Sequence, residues 1–224
     1  MTIELATLKG NTNVGLYAVP TDQFVIVPSI LPDRFSETAG RVLGVEQVLV
    51  DVEPSIIGAL IIANTHGLVL SPIIPRNVLD ELRTALPNHS VERLEVDYFA
   101  LGNIVLTTDR TTLVSPIVPR ATREVIGDTL RTEVVTLRLS NSDLVGSLVR
   151  TNGLGAIVSP LVEDEGELEN LQTLLDLQEV ATSTVNKGSQ FPASGILCNK
   201  NGALLGEDST GIETIAISNG LYPT

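Results

Sequence analysis

The chain lacks tryptophan and has only three tyrosines and four phenylalanines in 224 residues, so its interior must be aliphatic. So few rings exclude a base-stacking platform for single-stranded nucleic acid. Cys198 is the one cysteine, which excludes an internal disulfide and the stapled scaffolds of small secreted proteins. Of the two histidines, His66 falls in a hairpin turn and His89 in a loop after a helix, and no HExxH, CxxC or paired-histidine spacing offers a metal site. Basic residues are scarce: 14 Lys and Arg face 27 Asp and Glu, for a net charge of −13. Such a balance gives no general attraction to phosphate backbones, so work beside nucleic acid would need a basic protein partner or a local patch. No run of 18 apolar residues exists to span a membrane, and Met1-Thr2-Ile3-Glu4 has neither the basic start nor the apolar stretch of a signal peptide. A cytoplasmic protein is expected. No Gly/Ser-rich or Pro-rich linker divides the chain, so residues 1–224 read as a single domain.

What the chain does have is a repeat. Glycine follows an apolar residue at Val14-Gly15, Ile57-Gly58, Leu101-Gly102 and Val145-Gly146, and Gly195 after Ser194 is the fifth, at spacings of 43, 44, 44 and 49. Thirteen residues past the glycine stand Ser71-Pro72, Ser115-Pro116 and Ser159-Pro160, with Pro28-Ser29 in the first copy; four residues further stand Pro32, Pro75 and Pro119. Self-similarity at one fixed period signals an array of supersecondary units that bury their faces against one another.

Within one unit, the apolar run Gly58 to Ala63, the turn Asn64-Thr65-His66-Gly67 and the run Leu68-Val69-Leu70 predict a β-hairpin. Pro72 and Pro75 stop it, and Val78, Leu79, Leu82 and Leu86 then recur at helical spacing up to Pro87. Third strands are predicted at Gln47–Val52, Val91–Asp97, Glu133–Leu139 and Glu179–Val185. The third unit shows why: Val135, Leu137 and Leu139 alternate with Thr136 and Arg138, the mark of a half-buried strand. The fifth unit ends near Tyr222 without such a strand, whereas Ile3 to Leu8 is a strand without a unit. The N-terminal strand is therefore expected to complete the fifth unit and close a ring, removing the edges an open array would expose. Unit boundaries fall roughly at 9–52, 53–97, 98–141, 142–187 and 188–222 plus 3–8. Helices are expected outside and sheets around a pseudo-fivefold axis. Loops preceding the glycines should share one face, with the hairpin turns gathered elsewhere.

Catalytic signals are few. Gly153-Leu154-Gly155 lacks the third glycine of a dinucleotide loop and aligns with the turn at His66. A five-bladed α/β disc also houses guanidine-modifying enzymes that use a cysteine nucleophile, which makes Cys198 the one alternative catalytic candidate. Counted from the glycine, its equivalents are Ala18, Ile61, Val105 and Val149, so it reads as a small buried hydrophobe. Asn64, Asn152, Asn199 and Asn201 fit turns, since asparagine caps turns and tolerates left-handed backbone. The carboxylates Glu163, Asp164, Glu165, Glu167 and Glu169 suit the positive end of the fourth helix, as a solvated face. Asn103 stands out: it follows the glycine where other units have Leu16, Ala59, Ser147 and Ile196, putting a polar amide at the expected start of a strand.

The five-unit pattern, with Asn64-Thr65-His66-Gly67-Leu68-Val69-Leu70, Ala100-Leu101-Gly102-Asn103, Thr184-Val185-Asn186-Lys187-Gly188-Ser189, the stretch Gly195 to Ala203 and Thr210, resembles the translation initiation factor 6 family, from Ile3 to about Ile217. The resemblance implies a pentein-type five-bladed α/β propeller with no catalytic activity and no cofactor. It implies binding to the intersubunit face of the large ribosomal subunit, mainly through a basic ribosomal protein near the sarcin–ricin loop, with a peripheral rRNA contact. It further implies steric blockade of the small subunit by a monomer that a translational GTPase later removes. Carried over residue by residue, the ribosome-facing positions are Gly15, Asn103 and the loop containing Lys187 and Gln190, followed by Asn13, Ser55 and Asp143. Without the long C-terminal tail of eukaryotic members, the chain looks archaeal. Eukaryotic members carry arginines around the second glycine, where this chain has Ser55 and Ala59.

Overall fold

In the computed structural model, which describes residues 1–224, the strands form five separate three-stranded sheets. In each, a short hairpin pairs antiparallel, and an outer helix then crosses over to a third strand that lies parallel to the second. The second unit is typical: Ile61–Ala63, Gly67–Leu70, helix Arg76–Ala85 and strand Ser90–Arg93. The other outer helices are Asp33–Leu43, Arg120–Leu130, Glu165–Leu174 and Gly211–Leu221. Pro32, Pro75 and Pro119 occupy the residue before the helix. There, a fixed φ suits the entry and no amide needs a partner.

The fifth unit borrows its third strand. Thr2–Ala6 lies parallel to Gly202–Gly206, Thr2 opposite Gly202 and Ala6 opposite Gly206, so the N-terminal strand closes the ring. The third strands are shorter than the apolar pattern suggested: Glu46–Val50, Ser90–Arg93, Glu133–Thr136 and Glu179–Thr182. They end where the second strand, their only neighbour, stops offering partners.

A larger difference concerns the repeated glycines. They sit in single helical turns at Val14–Leu16, Ile57–Ala59, Leu101–Ile104, Val145–Leu148 and Pro192–Gly195, not at strand starts. These turns touch in sequence around the axis and the last touches the first. A Cβ on Gly58 would lie 2.1 Å from the Gly15 carbonyl, one on Gly102 2.5 Å from that of Gly58, and one on Gly146 2.3 Å from that of Gly102. Gly15 completes the run against Ala193, at 2.2 Å. Four of the repeated glycines are thus close-approach residues whose conformational freedom is incidental; in the fifth turn Ala193 holds that place, and Gly195, expected as the fifth copy, packs against Val185 instead.

The aliphatic cores lie between units. Val19, Phe24 and Ile26 of the first unit pack with Ile57, Leu68 and Leu82 of the second. Ile62 and Val69 of the second join Leu101 and Ile126 of the third, and Leu106 and Leu113 of the third join Val145 and Leu171 of the fourth. Ile157 of the fourth joins Ile196 and Ile217 of the fifth, and Leu197 and Leu204 of the fifth join Val14 and Val42 of the first. Every core is shared between two neighbouring units, the last of them with the first, so ring closure is part of the core.

Candidate functional site

The axis has two different ends. At one, the five hairpin turns gather around a cavity of about 270 Å³ lined by Asp22, Thr65, Asp109, Arg110, Asn152 and Lys200, among others. At the other, the axial turns and the loops leading into them surround a cavity of about 500 Å³. The expected separation of hairpin turns from pre-glycine loops is therefore what the fold displays.

At the hairpin end, polar groups are committed to one another. Asn199 Nδ2 donates to the carbonyls of Thr21 and Leu43 at 3.0 and 2.9 Å, while its Oδ1 accepts from the amides of Asn201 and Gly202 at 2.9 and 3.2 Å. Asn64 does the same toward Thr108 and Leu130, and Asn152 toward Leu221. None of the three has a positive φ; Asn141 and Asn186 are the left-handed asparagines. The hairpin asparagines therefore cap their own turns through Oδ1, as expected, without the left-handed backbone, and through Nδ2 stitch those turns to the next unit. Asp22 accepts from the Lys200 amide at 3.0 Å and pairs with its ammonium at 2.7 Å, and Asp109 accepts from the Thr65 amide at 2.9 Å.

The opposite face is less self-satisfied. Asn13, Gly15 and Asn103 line its cavity. Asn103 lies inside the helical turn Leu101–Ile104, half-buried, and its side-chain amide makes no hydrogen bond within the chain. Asn13 Oδ1 accepts from Ser194 Oγ at 3.2 Å, whereas Gly15 is buried in the glycine ring. Ser55 is half-buried in its loop, and Gln190 is exposed. Lys187 is exposed, with its ammonium 2.5 Å from Asp208. The Asp143 carboxylate accepts from Arg138 Nε at 2.7 Å and Ser115 Oγ at 3.2 Å, and the Arg138 bond holds it below its usual range. Apolar side chains stand exposed beside these positions: Ile56, Phe99, Leu144 and Phe191.

Sequence reasoning missed the residue that shapes the loop at 184–190. Asn186, Lys187 and Gly188 all have positive φ. Glu213, buried on the fifth outer helix, accepts from the amides of Lys187 and Gly188 at 3.2 and 2.9 Å, from Thr184 Oγ1 at 2.7 Å and from the Thr210 amide at 2.7 Å. Glu167 treats Ser140 likewise, accepting from its amide at 2.9 Å. Both glutamates are third in their helices, Glu213 as half of a capping box with Thr210. Glu167 therefore does more than sit on a solvated helix face. Burial alone would raise the Glu213 carboxyl, but the bonds from Thr210, Thr184 and Gly188 outweigh it and hold the group at about 2. An unfolded carboxyl titrates near 4.5, so this stabilisation, roughly 3 kcal/mol, is complete above that pH, falls as pH drops toward 2, and is gone below it. Glu213→Gln should therefore be less stable than the parent at pH 6, and the gap between their melting temperatures should close between pH 4.5 and 2. Parallel melting curves across that range would contradict the clasp.

Cys198 is also clarified. Strand pairing aligns it with Pro20, Ala63, Thr107 and Thr151, not with Ala18, Ile61, Val105 and Val149, because Gly195 is the last residue of its axial turn whereas the other four glycines are second in theirs. Its thiol is 4% exposed, and burial pushes it up to about 11. Neither cavity that reaches Cys198 is lined by a histidine. His89 instead bonds Gln23 and packs edge-on against Phe24. A cysteine nucleophile is activated by an adjacent base or a lowered pKa, whereas this thiol is raised and no histidine shares its cavities.

The eIF-6 family model matches residues 3–220. The chain belongs to the eIF-6 family. Relatives named translation initiation factor 6 cover nearly all of it: one from Saccharolobus islandicus (strain L.S.2.15 / Lassen #1) is 28% identical over 99% of both chains, and one from Methanocaldococcus jannaschii is 30% identical over 95% of both. A third, from Staphylothermus marinus, is 29% identical over 99% of this chain and 98% of its own. Membership places the chain among translation factors. A dimethylarginine dimethylaminohydrolase solved as an adduct with S-methyl-L-thiocitrulline superposes with a TM-score of 0.51 at 11% identity, covering 88% of this chain and 96% of that one. The shared feature is the pentein-type fold, the five-bladed α/β ring described above. No helix of this eIF-6 member is long and apolar enough to cross a membrane.

Proposed function

We propose that this eIF-6 member binds the large ribosomal subunit at its intersubunit face and blocks the small subunit by bulk, without catalysis. The observation carrying the reading is the unequal state of the two ends of the ring. Hairpin-end polar groups are spent on one another, whereas the pre-glycine end presents an unpartnered Asn103 amid exposed Ile56, Phe99, Leu144 and Phe191. Clustered exposed apolar side chains rimmed by polar ones mark interaction surfaces. Steric exclusion needs a rigid body, and a ring whose cores lie between its units supplies one. The charge of −13 favours steering toward a basic ribosomal protein, with rRNA contact at most peripheral. The face comprises Asn13, Gly15, Ser55, Asn103, Asp143, Lys187 and Gln190, with Gly15 acting through the backbone ring it closes. The protein acts in the cytoplasm as a monomer.

Co-sedimentation with vacant archaeal large subunits at low salt tests this. The protein should pellet with them and suppress joining of added small subunits. Asn103→Arg, which crowds the centre of the face, should weaken pelleting about tenfold while leaving the fold intact. Failure of the parent protein to pellet would sink the reading.

A further inference from the structure

Each first hairpin strand sends one side chain into the core of the next unit. In four units it is aliphatic: Val19, Ile62, Leu106 and Leu197. In the fourth it is Arg150, opposite Ile157 in the pairing. Arg150 Nε donates to the Ile196 carbonyl at 2.8 Å, which docks the guanidinium on the fifth unit. Its two terminal nitrogens have no hydrogen-bond partner in the chain, and the residue enters no ion pair. Burial pulls its pKa down from the ordinary value, yet a guanidinium stays charged in proteins.

Arg150 lines the 500 Å³ axial cavity, and it is the only charged residue that does. Around it stand further unspent donors, since Ser147 Oγ and the amide nitrogens of Asn13 and Asn103 donate to nothing in the chain. A chain of net charge −13 thus places a single half-buried cation, with no carboxylate beside it, in an open cavity whose lining is half apolar and half glycine, hydroxyl and amide residues. An unpaired charge away from bulk water costs several kcal/mol unless a counter-charge or ordered water meets it. A planar fork with free terminal N–H groups matches the two oxygens of a carboxylate or phosphate.

We propose that the axial cavity is a binding site for a small oxyanion, phosphate or a small carboxylate, held by Arg150 with help from Ser147 and Asn103. The site does not depend on the ribosomal reading, because it is defined inside the ring and would exist in the free protein.

Equilibrium dialysis of the intact chain against radiolabelled inorganic phosphate, in chloride buffer at constant ionic strength, tests it. One phosphate should bind per chain, and acetate added in competition shows which oxyanion the site prefers. Arg150→Leu installs the residue that Leu106 and Leu197 already place at this position, so it should fold with unchanged or raised stability in chloride. It should bind phosphate about a hundredfold more weakly. Arg150→Lys keeps the charge without the fork and should weaken binding about tenfold, which preserves the comparison should the leucine variant misfold. Saturable binding by the parent protein should raise its melting temperature by about 4 °C at ten times the dissociation constant, and the leucine variant should show no rise. Absence of saturable phosphate and acetate binding at about 10 mM, or equal binding by parent and leucine variant, would overturn the proposal and leave a water-solvated guanidinium.

Discussion

Gly58→Ala is expected to lower the melting temperature by about 10 °C, although it adds one methyl group. The added Cβ would sit 2.1 Å from the Gly15 carbonyl and 3.1 Å from that of Ala18. Both obstacles are backbone, so no side chain can swing aside. The turn that carries Gly58 is wedged between the turns of Gly15 and Gly102, so relief requires the ring to expand. Overpacking a core costs about 1–3 kcal/mol, and a clash that a closed ring cannot relax belongs at the upper end. Gly211→Ala is the internal control. A Cβ there meets nothing within 4 Å, and the position begins an outer helix, so alanine should be neutral or stabilising by up to about 1 kcal/mol. Thermal melts of the two variants side by side decide the matter, and similar melting temperatures would refute the close-approach account.

Asn199→Ala is expected to cost about 3–4 kcal/mol, more than truncating a polar surface residue should. Its amide is 2% exposed and donates to Thr21 and Leu43 while accepting from Asn201 and Gly202. Alanine leaves two carbonyls and two amides without that partner, at roughly 1 kcal/mol each. The location adds weight, because these bonds join the last unit to the first, across the seam that the N-terminal strand also closes. Asn103→Ala is the contrast: its side chain bonds nothing in the chain, so stability should change by less than about 0.5 kcal/mol. Urea titration of both variants provides the readout. A large cost at Asn103, or a negligible one at Asn199, would reverse the division between structural and available asparagines on which the proposed ribosome-binding face rests.

Much of the architecture was legible in the order of residues. Period, hairpins, outer helices and the missing fifth strand all follow from local signals: glycine spacing, Ser-Pro and Pro at fixed offsets, and apolar residues at helical or alternate spacing. The strand Thr2–Ala6 could be assigned to the fifth unit because a repeat lacking one piece and a spare piece at the other end admit one arrangement. Family membership was legible for the same reason, since the motifs sit on the repeat.

The roles of particular residues were less legible. Pattern reading put the glycines at strand starts, because a helical turn of three or four residues is too short for its period to register. It set Cys198 beside Val149, because the fifth unit's longer spacing shifts the count from the glycine while hydrogen-bond register keeps its own. Nothing in the order of residues marks Glu213, since its partners at 184–188 lie far away in sequence.

The sequence alone determined that five units form this protein, in what order, and that its own N-terminus completes the last, because those are consequences of period and chain order. The tertiary structure alone decided which repeated positions are structural and which are available. Packing places Gly15 against Ala193 and Asn199 against Thr21, pairs joined only by closure of the ring, and Arg150 against Ile196 of the following unit. Arg150 shows the distinction most sharply: in the chain it is one arginine in a strand, and in the ring it is the single charge facing the axial cavity.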